Sequence, residues 1–358
     1  MDEMMKLTEL SAQKKLDVRV IGIGGAGCSS LRSVAESAFL ESRQLSMLGI
    51  DTGSAVQTLS GLTETLSFGN GFGSGGDIDA AIDQFLTVRR TVERFVAHAD
   101  VVVILAGLGR GTGSAVSPLV AELAKSTGAL TIAAVNMPFK FEGRFRKQSA
   151  KIAHDRLEKI TDAVITTSNS ELSKPGEASV SLNDAFRQAD KHTADTVQAI
   201  MMALGSSADR FETIRSSFES AGKSLVLAGS ARGLHAGKSA VAGALDGIEN
   251  ESLDVKNAVI HVDGGIGLSL GQVAEAVTAL RTSIDGRAEI HVSSERHVGR
   301  GQDIRVTLML TGVHQVRDLI ETMSPIGDLQ LRDPIPSVSI FDSPHPVRTR
   351  GPLLLPTA

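Results

Sequence analysis

The residues richest in chemistry are glycines, gathered in three runs. Gly22-Ile23-Gly24-Gly25-Ala26-Gly27 follows an apolar stretch and opens helical sequence. Backbone N–H groups at such a helix start face outward and attract phosphate, and only glycine lets the chain approach that closely. The run matches the dinucleotide pattern G-x-G-x-x-G, and Asp51 ends the next apolar stretch, where a ribose-binding carboxylate would sit. Alone, it leaves open a dinucleotide site, another nucleotide site and a structural turn. The second run, Gly107-Leu108-Gly109-Arg110-Gly111-Thr112-Gly113-Ser114, decides the matter. It follows the apolar residues 101–106 and opens another helix. A dinucleotide fold has no need of a second cradle so rich in glycine at its fourth strand. Between the two lies Gly71-Phe72-Gly73-Ser74-Gly75-Gly76-Asp77. Three such loops converging on one edge suit a triphosphate, and Thr112 and Ser114 add hydroxyl donors. Gly222-Lys223-Ser224 and Gly237-Lys238-Ser239 imitate a Walker loop, but Ser217 and Arg232 stand where its leading glycine belongs. Both are chance matches.

The elements that must position these runs alternate. Residues 17–21, 45–50, 101–106, 130–135 and 163–167 read as strands. Residues 29–40, 78–97, 116–125 and 142–160 read as helices, with a glycine-rich loop over 66–77. Strand–helix alternation with short turns gives a doubly wound parallel sheet, whose ligands sit outside the carboxyl ends of the strands. Residues 181–204 form a long helix, with Val197, Ile200, Met201 and Leu204 at helical spacing, that joins two domains. Strands at 224–228, 258–262, 289–292 and 304–310, with helices at 238–248 and 270–284, make a smaller α+β domain. The expected division is an N-terminal extension at 1–16, a nucleotide-binding domain at 17–180, the central helix, an assembly domain at 205–325 and a Pro-rich disordered tail at 326–358.

Composition narrows the function. A net charge of −5 argues against a general nucleic-acid binder, and the absence of Trp and Tyr removes stacking platforms for single strands. Cys28 is the single cysteine, so no internal disulfide forms, which fits a reducing cytoplasm. Residues 1–15 lack the pattern of a secretory signal. No apolar run approaches the roughly 20 residues of a membrane span, so direct membrane insertion is not expected.

With these features in place, the chain resembles the tubulin/FtsZ superfamily, most closely its FtsZ-like members, over about residues 17–315. Residues 109–115 are similar to the signature G-G-G-T-G-[ST]-G, with Arg110 and Ala115 replacing two glycines. Asn136-Met137-Pro138-Phe139-Lys140-Phe141-Glu142-Gly143 is similar to the family's strand-end motif, followed at the expected spacing by Arg146. The resemblance implies a GTP-binding domain, with GTP or GDP as ligand and Mg²⁺ as a candidate companion. It places the phosphates among Gly24, Gly25, Ala26, Thr52, Gly73, Gly75, Gly76, Gly109, Arg110, Gly111, Thr112, Gly113 and Ser114. Glu142 would bind the ribose, Arg146 and Asn169 would lie at the nucleotide, and Ser29 replaces an asparagine that contacts the base. Phe186 would stack on guanine and Asp190 would pair with its N1–H and exocyclic amine. That pair makes chemical sense on its own: residues four apart share a helix face, and a carboxylate accepting two N–H bonds selects guanine over adenine.

The resemblance also implies that neighbouring subunits complete the GTPase site head to tail. The family presents N-x-D-x-x-D after the central helix; here the segment is Ser206-Ser207-Ala208-Asp209-Arg210-Phe211-Glu212-Thr213. Asp209 and Glu212 take the two acidic positions if one residue is inserted, and Arg210 and Thr213 take them otherwise. The asparagine is missing, so slow hydrolysis is expected. Arg110 either neutralises phosphate charge or points to solvent. In the tail, Ile340-Phe341 and Leu353-Leu354-Leu355 are candidate contacts for a related filament protein or a membrane-anchor protein. Two rival readings are a GTP-binding regulatory protein with hardly any hydrolysis, and an oxidoreductase using only 22–27 and Asp51.

Overall fold

The computed structural model describes residues 16–37, 45–53, 56, 59, 64–71, 73–168, 181–204, 208–219, 221–246, 248, 253–284, 286–296 and 301–313. Asn169, Ser206, Ser207, the N-terminal extension and the tail lie outside the described residues.

The strand Val101–Gly107 (β4) shows how the sheet is built. Its VVVILA residues are buried throughout, as a central parallel strand covered on both faces requires. Alternate side chains feed opposite cores: Val102, Ile104 and Ala106 enter one cluster, and Val101, Val103 and Leu105 the other. Around β4 lie Val18–Ile23 (β1), Ser46–Asp51 (β2), Glu64–Ser67 (β3), Leu130–Met137 (β5) and Ala163–Ser168 (β6), all parallel.

The helices Gly24–Ala35 (α1), Ile78–Val96 (α2), Gly111–Ser126 (α3) and Arg144–Ile160 (α4) supply the crossovers. Helices α2, α3 and α4 cover one face; α1, with Leu182–Leu204 (α5) and Ala208–Phe218 (α6), covers the other. At α2 the Asp77 carboxylate caps the Ala80 N–H at 3.0 Å.

The second half contains Gly222–Ala231 (β7), Ala236–Ala244 (α7), Asn257–Gly264 (β8), Leu270–Ser283 (α8), Glu289–Arg296 (β9) and Ile304–Thr311 (β10). These strands continue the first sheet. The order is β3-β2-β1-β4-β5-β6-β7-β10-β8-β9 in one ten-stranded sheet. The join is short: Ala163, Val164 and Ile165 pair in parallel with Gly222, Lys223 and Ser224. Strand β10 runs antiparallel to β7 and β8, so the carboxyl ends of the other described strands share one edge. Helix α5 also reaches the second half, where Val259 and Met309 enter its core cluster.

Three boundaries differ from the sequence reading. The expected loop over 66–77 begins inside β3, whose Leu66 pairs with Ile50. The pattern missed this strand because it is a short, mostly exposed edge. Helices α1 and α3 start at Gly24 and Gly111, well before the expected 29 and 116. Glycine is a poor helix former, yet these starts are held by packing.

Candidate nucleotide site

The three glycine runs meet at the carboxyl edge. Gly24 adopts φ +73°, and a methyl placed on it would lie 3.1 Å from the Gly113 nitrogen, so the first and second runs touch. A methyl on Gly113 would collide with the Gly107 carbonyl oxygen, which explains why backbone packs directly on backbone there. The third run reaches the second where Gly111 faces Ser74 and Gly76, and it reaches β2 where the Gly73 N–H donates to the Thr52 carbonyl at 3.0 Å. The Thr52 and Thr112 hydroxyls share a buried 2.8 Å hydrogen bond.

Helices α1 and α3 both start with no side-chain cap, at Ile23 and Arg110. Their first-turn N–H groups therefore present partial positive charge at one place, a cradle suited to phosphate. Gly25, Ala26, Gly75, Gly76 and Arg110 are exposed there. Ser114 is different: it is fully buried, and its oxygen accepts the Gly109 N–H at 2.7 Å. Its role is to brace the loop.

On one side of the cradle Glu142 is held in place. Its carboxylate accepts the Phe139 N–H at 2.9 Å and pairs with Arg146, one turn along. Arg110 lies 3.8 Å from the same carboxylate and is two-thirds exposed, so its guanidinium leans toward Glu142 and solvent. Phe186 is 37% exposed and meets Phe139 edge to face, with centroids 5.3 Å apart; Phe139 stacks on Phe141 at 5.0 Å. Sequence reasoning assigned no role to Phe139 or Phe141, although both stand in the strand-end motif. Asn136 donates to Thr193 at 3.1 Å, tying β5 to α5.

Asp190 projects from α5 toward α1. Ser29 donates to one of its carboxylate oxygens at 2.6 Å and Ser30 to the other at 2.9 Å. Burial pushes this carboxyl above its ordinary range, while the two hydroxyls and Arg32 pull it back. Ser30 was missed because a serine inside a helix start carries no local signal of a partner 160 residues away. Asp51 is 7% exposed, and its carboxyl engages the N–H groups of Thr52 and Gly53. It is turned into its own strand end, not toward a ribose, and the dinucleotide reading loses its second residue.

The acidic segment lies at the other edge. Helix α6 carries Asp209 in its first turn and the exposed Glu212 in its second. It is anchored where Arg215 donates to the Gly128 carbonyl at 2.8 Å, in the turn before β5. An eight-residue strand separates that turn from the glycine runs, roughly 25 Å at 3.3 Å per residue. Glu212 is thus out of reach of the cradle in its own chain.

Residues 17–175 match the model of the Tubulin/FtsZ family, GTPase domain. The chain is similar to FtsZ of M. jannaschii, solved as an empty dimer, at 25% identity and a TM-score of 0.76, over 87% of this chain and 92% of that one. A point mutant of that protein aligns at 26% identity with a TM-score of 0.74, over 87% and 96%. CetZ2 from Haloferax volcanii, solved as a GTPγS-bound protofilament, shares the fold at 20% identity and a TM-score of 0.70, over 86% and 96%. Fold and domain together define a protein of the cytoskeletal GTPase type. Residues 17–175 carry a GTPase domain of the tubulin/FtsZ type, and the fold around it is that of the FtsZ structures it is similar to.

Proposed function

We propose that the chain binds GTP or GDP at the carboxyl edge and assembles head to tail into homopolymeric filaments. Asp209 and Glu212 of one copy would then approach the γ-phosphate held by the next. The observation that carries this reading is the separation described above: three glycine runs and two uncapped helix starts at one edge, with the acidic helix anchored at the opposite edge. A single subunit holds both halves of a site and cannot join them. The phosphates would rest on Gly24, Gly25, Ala26, Gly73, Gly75, Gly76 and residues 109–113, with Ser114 bracing. Glu142 and Arg146 would meet the ribose side, and Phe186 and Asp190 the base. A magnesium ion would accompany the triphosphate and help neutralise its charge.

Hydrolysis is the property that Asp209 and Glu212 would confer, by positioning water rather than by covalent chemistry. A second reading, a GTP-binding filament or regulatory protein with little turnover, is favoured by Ser207 at the asparagine position and by Arg210 beside Asp209. The cellular role we infer is division or cell-shape control in the cytoplasm.

Light scattering and electron microscopy with GTP, GDP and no nucleotide test assembly, and phosphate release tests turnover. Filaments that form only with GTP support the proposal; a protein that ignores guanine nucleotides ends it. Glu212→Ala should leave GTP affinity intact and slow phosphate release under assembly conditions. Unchanged turnover removes Glu212 from the mechanism.

A further inference from the structure

Both oxygens of the Asp190 carboxylate have a hydroxyl partner on α1, Ser29 on one and Ser30 on the other. The grip joins two helices that are distant in sequence and adjacent in the fold. Ser30 is 1% exposed, so it has no path to a ligand in the open site. Ser29 is half-buried. A carboxylate oxygen accepts about two hydrogen bonds, and each serine uses one. One acceptor position therefore remains on each oxygen. Two is the number that a guanine N1–H and exocyclic amine require. The fixed orientation also lowers the rotamer freedom that Asp190 would lose on binding.

We propose that Ser29 and Ser30 are positioning residues for base selectivity, holding the Asp190 carboxylate so that its remaining acceptor positions meet the two donors of a guanine. The inference rests on the guanine-nucleotide reading above. Ser30 acts only through Asp190. Ser29, nearer the opening, acts on the same carboxylate from its rim. The hydroxyls also favour the ionised form, and Arg32 on α1 adds to that; Asp51, a second carboxyl at this edge that burial raises, is held instead by the N–H groups of Thr52 and Gly53.

The experiment is a competition binding assay on the full chain, with GTP and ATP as probes. The proteins are the parent, Ser30→Ala, Ser29→Ala and Asp190→Ala, each first checked for an unchanged fold by circular dichroism. Losing one hydrogen bond to a charged group should lower the GTP-to-ATP affinity ratio of Ser30→Ala by about tenfold, with ATP affinity unchanged. The pH at which GTP binding weakens on acidification should rise in Ser30→Ala. The same titration in Asp190→Ala isolates the contribution of Asp51. A parallel loss of GTP and ATP affinity would show a packing role for the α1 start and overturn the inference, as would an unchanged ratio in both serine variants. If Ser30→Ala does not fold, the ratio in Ser29→Ala decides alone. A parent without preference for GTP over ATP would instead defeat the guanine reading itself, whatever the serine variants do.

Discussion

The hydroxyls of Thr52 and Thr112 lie 2.8 Å apart, buried, and join the end of β2 to the first turn of α3. This bond crosses the seam between two loops that approach the same space. Replacing one partner leaves the other hydroxyl buried without its hydrogen bond, at a cost of about 1–3 kcal/mol. Thr52→Val should lower stability by that amount and weaken GTP binding. A double-mutant cycle with Thr112→Val, read by denaturant unfolding, should show coupling of about 1 kcal/mol. Strict additivity would mean that the contact contributes nothing.

With Asp190 at the base, as proposed, nucleotide binding should be sensitive to acid. The folded-state pKa of Asp190 lies above the ordinary value, chiefly through burial. Guanine needs the carboxylate, so GTP affinity should fall as pH drops through that raised value, earlier than for a solvated aspartate. The linked stability runs the other way. The folded state binds the proton more tightly, so the stability Asp190 contributes is present below its unfolded pKa and is lost as pH rises through the folded one. Asp190→Asn should therefore raise the melting temperature of the nucleotide-free protein at neutral pH, with the gain shrinking on acidification. A gain that stays constant across pH would contradict this.

Gly113 and Gly75 should respond oppositely to the same methyl group. At Gly113 the methyl meets the Gly107 carbonyl, which is backbone and cannot swing away. Gly113→Ala should push the first turn of α3 away from the end of β4, distorting the second run, and abolish measurable GTP binding. At Gly75 the space is open, and only φ +62° opposes a side chain. Gly75→Ala should cost about 1–2 kcal/mol in backbone strain and leave weakened binding. Comparable affinities for the two variants would refute the packing argument.

Arg110 stands at the rim, two-thirds exposed and 3.8 Å from Glu142. Its charge partner in the nucleotide-free state is that carboxylate rather than a phosphate. Arg110→Gly should change magnesium-free GTP affinity by only about two- to fivefold, the scale of an exposed pair. A loss of a hundredfold would place the guanidinium on the phosphates instead.

Cys28 offers a probe of the site's floor. Burial, and next the charge of Asp51, push its thiol up to about 12, and its sulfur rests 3.7 Å from the carbonyls of Gly22 and Ile50. Iodoacetamide at pH 8 should leave the folded protein unmodified and label it only after unfolding. Fast labelling of the folded protein would mean that α1 opens readily from β2.

Much of the fold was legible in the sequence because its signals are local. An apolar run such as 101–106 states its own burial, and a glycine run before a helix states its own backbone freedom. The edge strand β3 was not legible, since exposed residues such as Glu64 and Thr65 take their conformation from pairing with Leu48 and Gly49. Nor was the continuity of the sheet, which depends on three pairs between β6 and β7.

The candidate site divides along the same line. Residue types near in sequence determined where phosphate-seeking loops stand and that Phe186 and Asp190 share a face. Only tertiary structure decided that Ser30 grips Asp190, that Ser114 faces inward, and that α6 lies at the far edge from the glycine runs. Backbone preference acts over a few residues, whereas side-chain partners 160 positions apart meet only once sheet order and helix packing have brought them to one place.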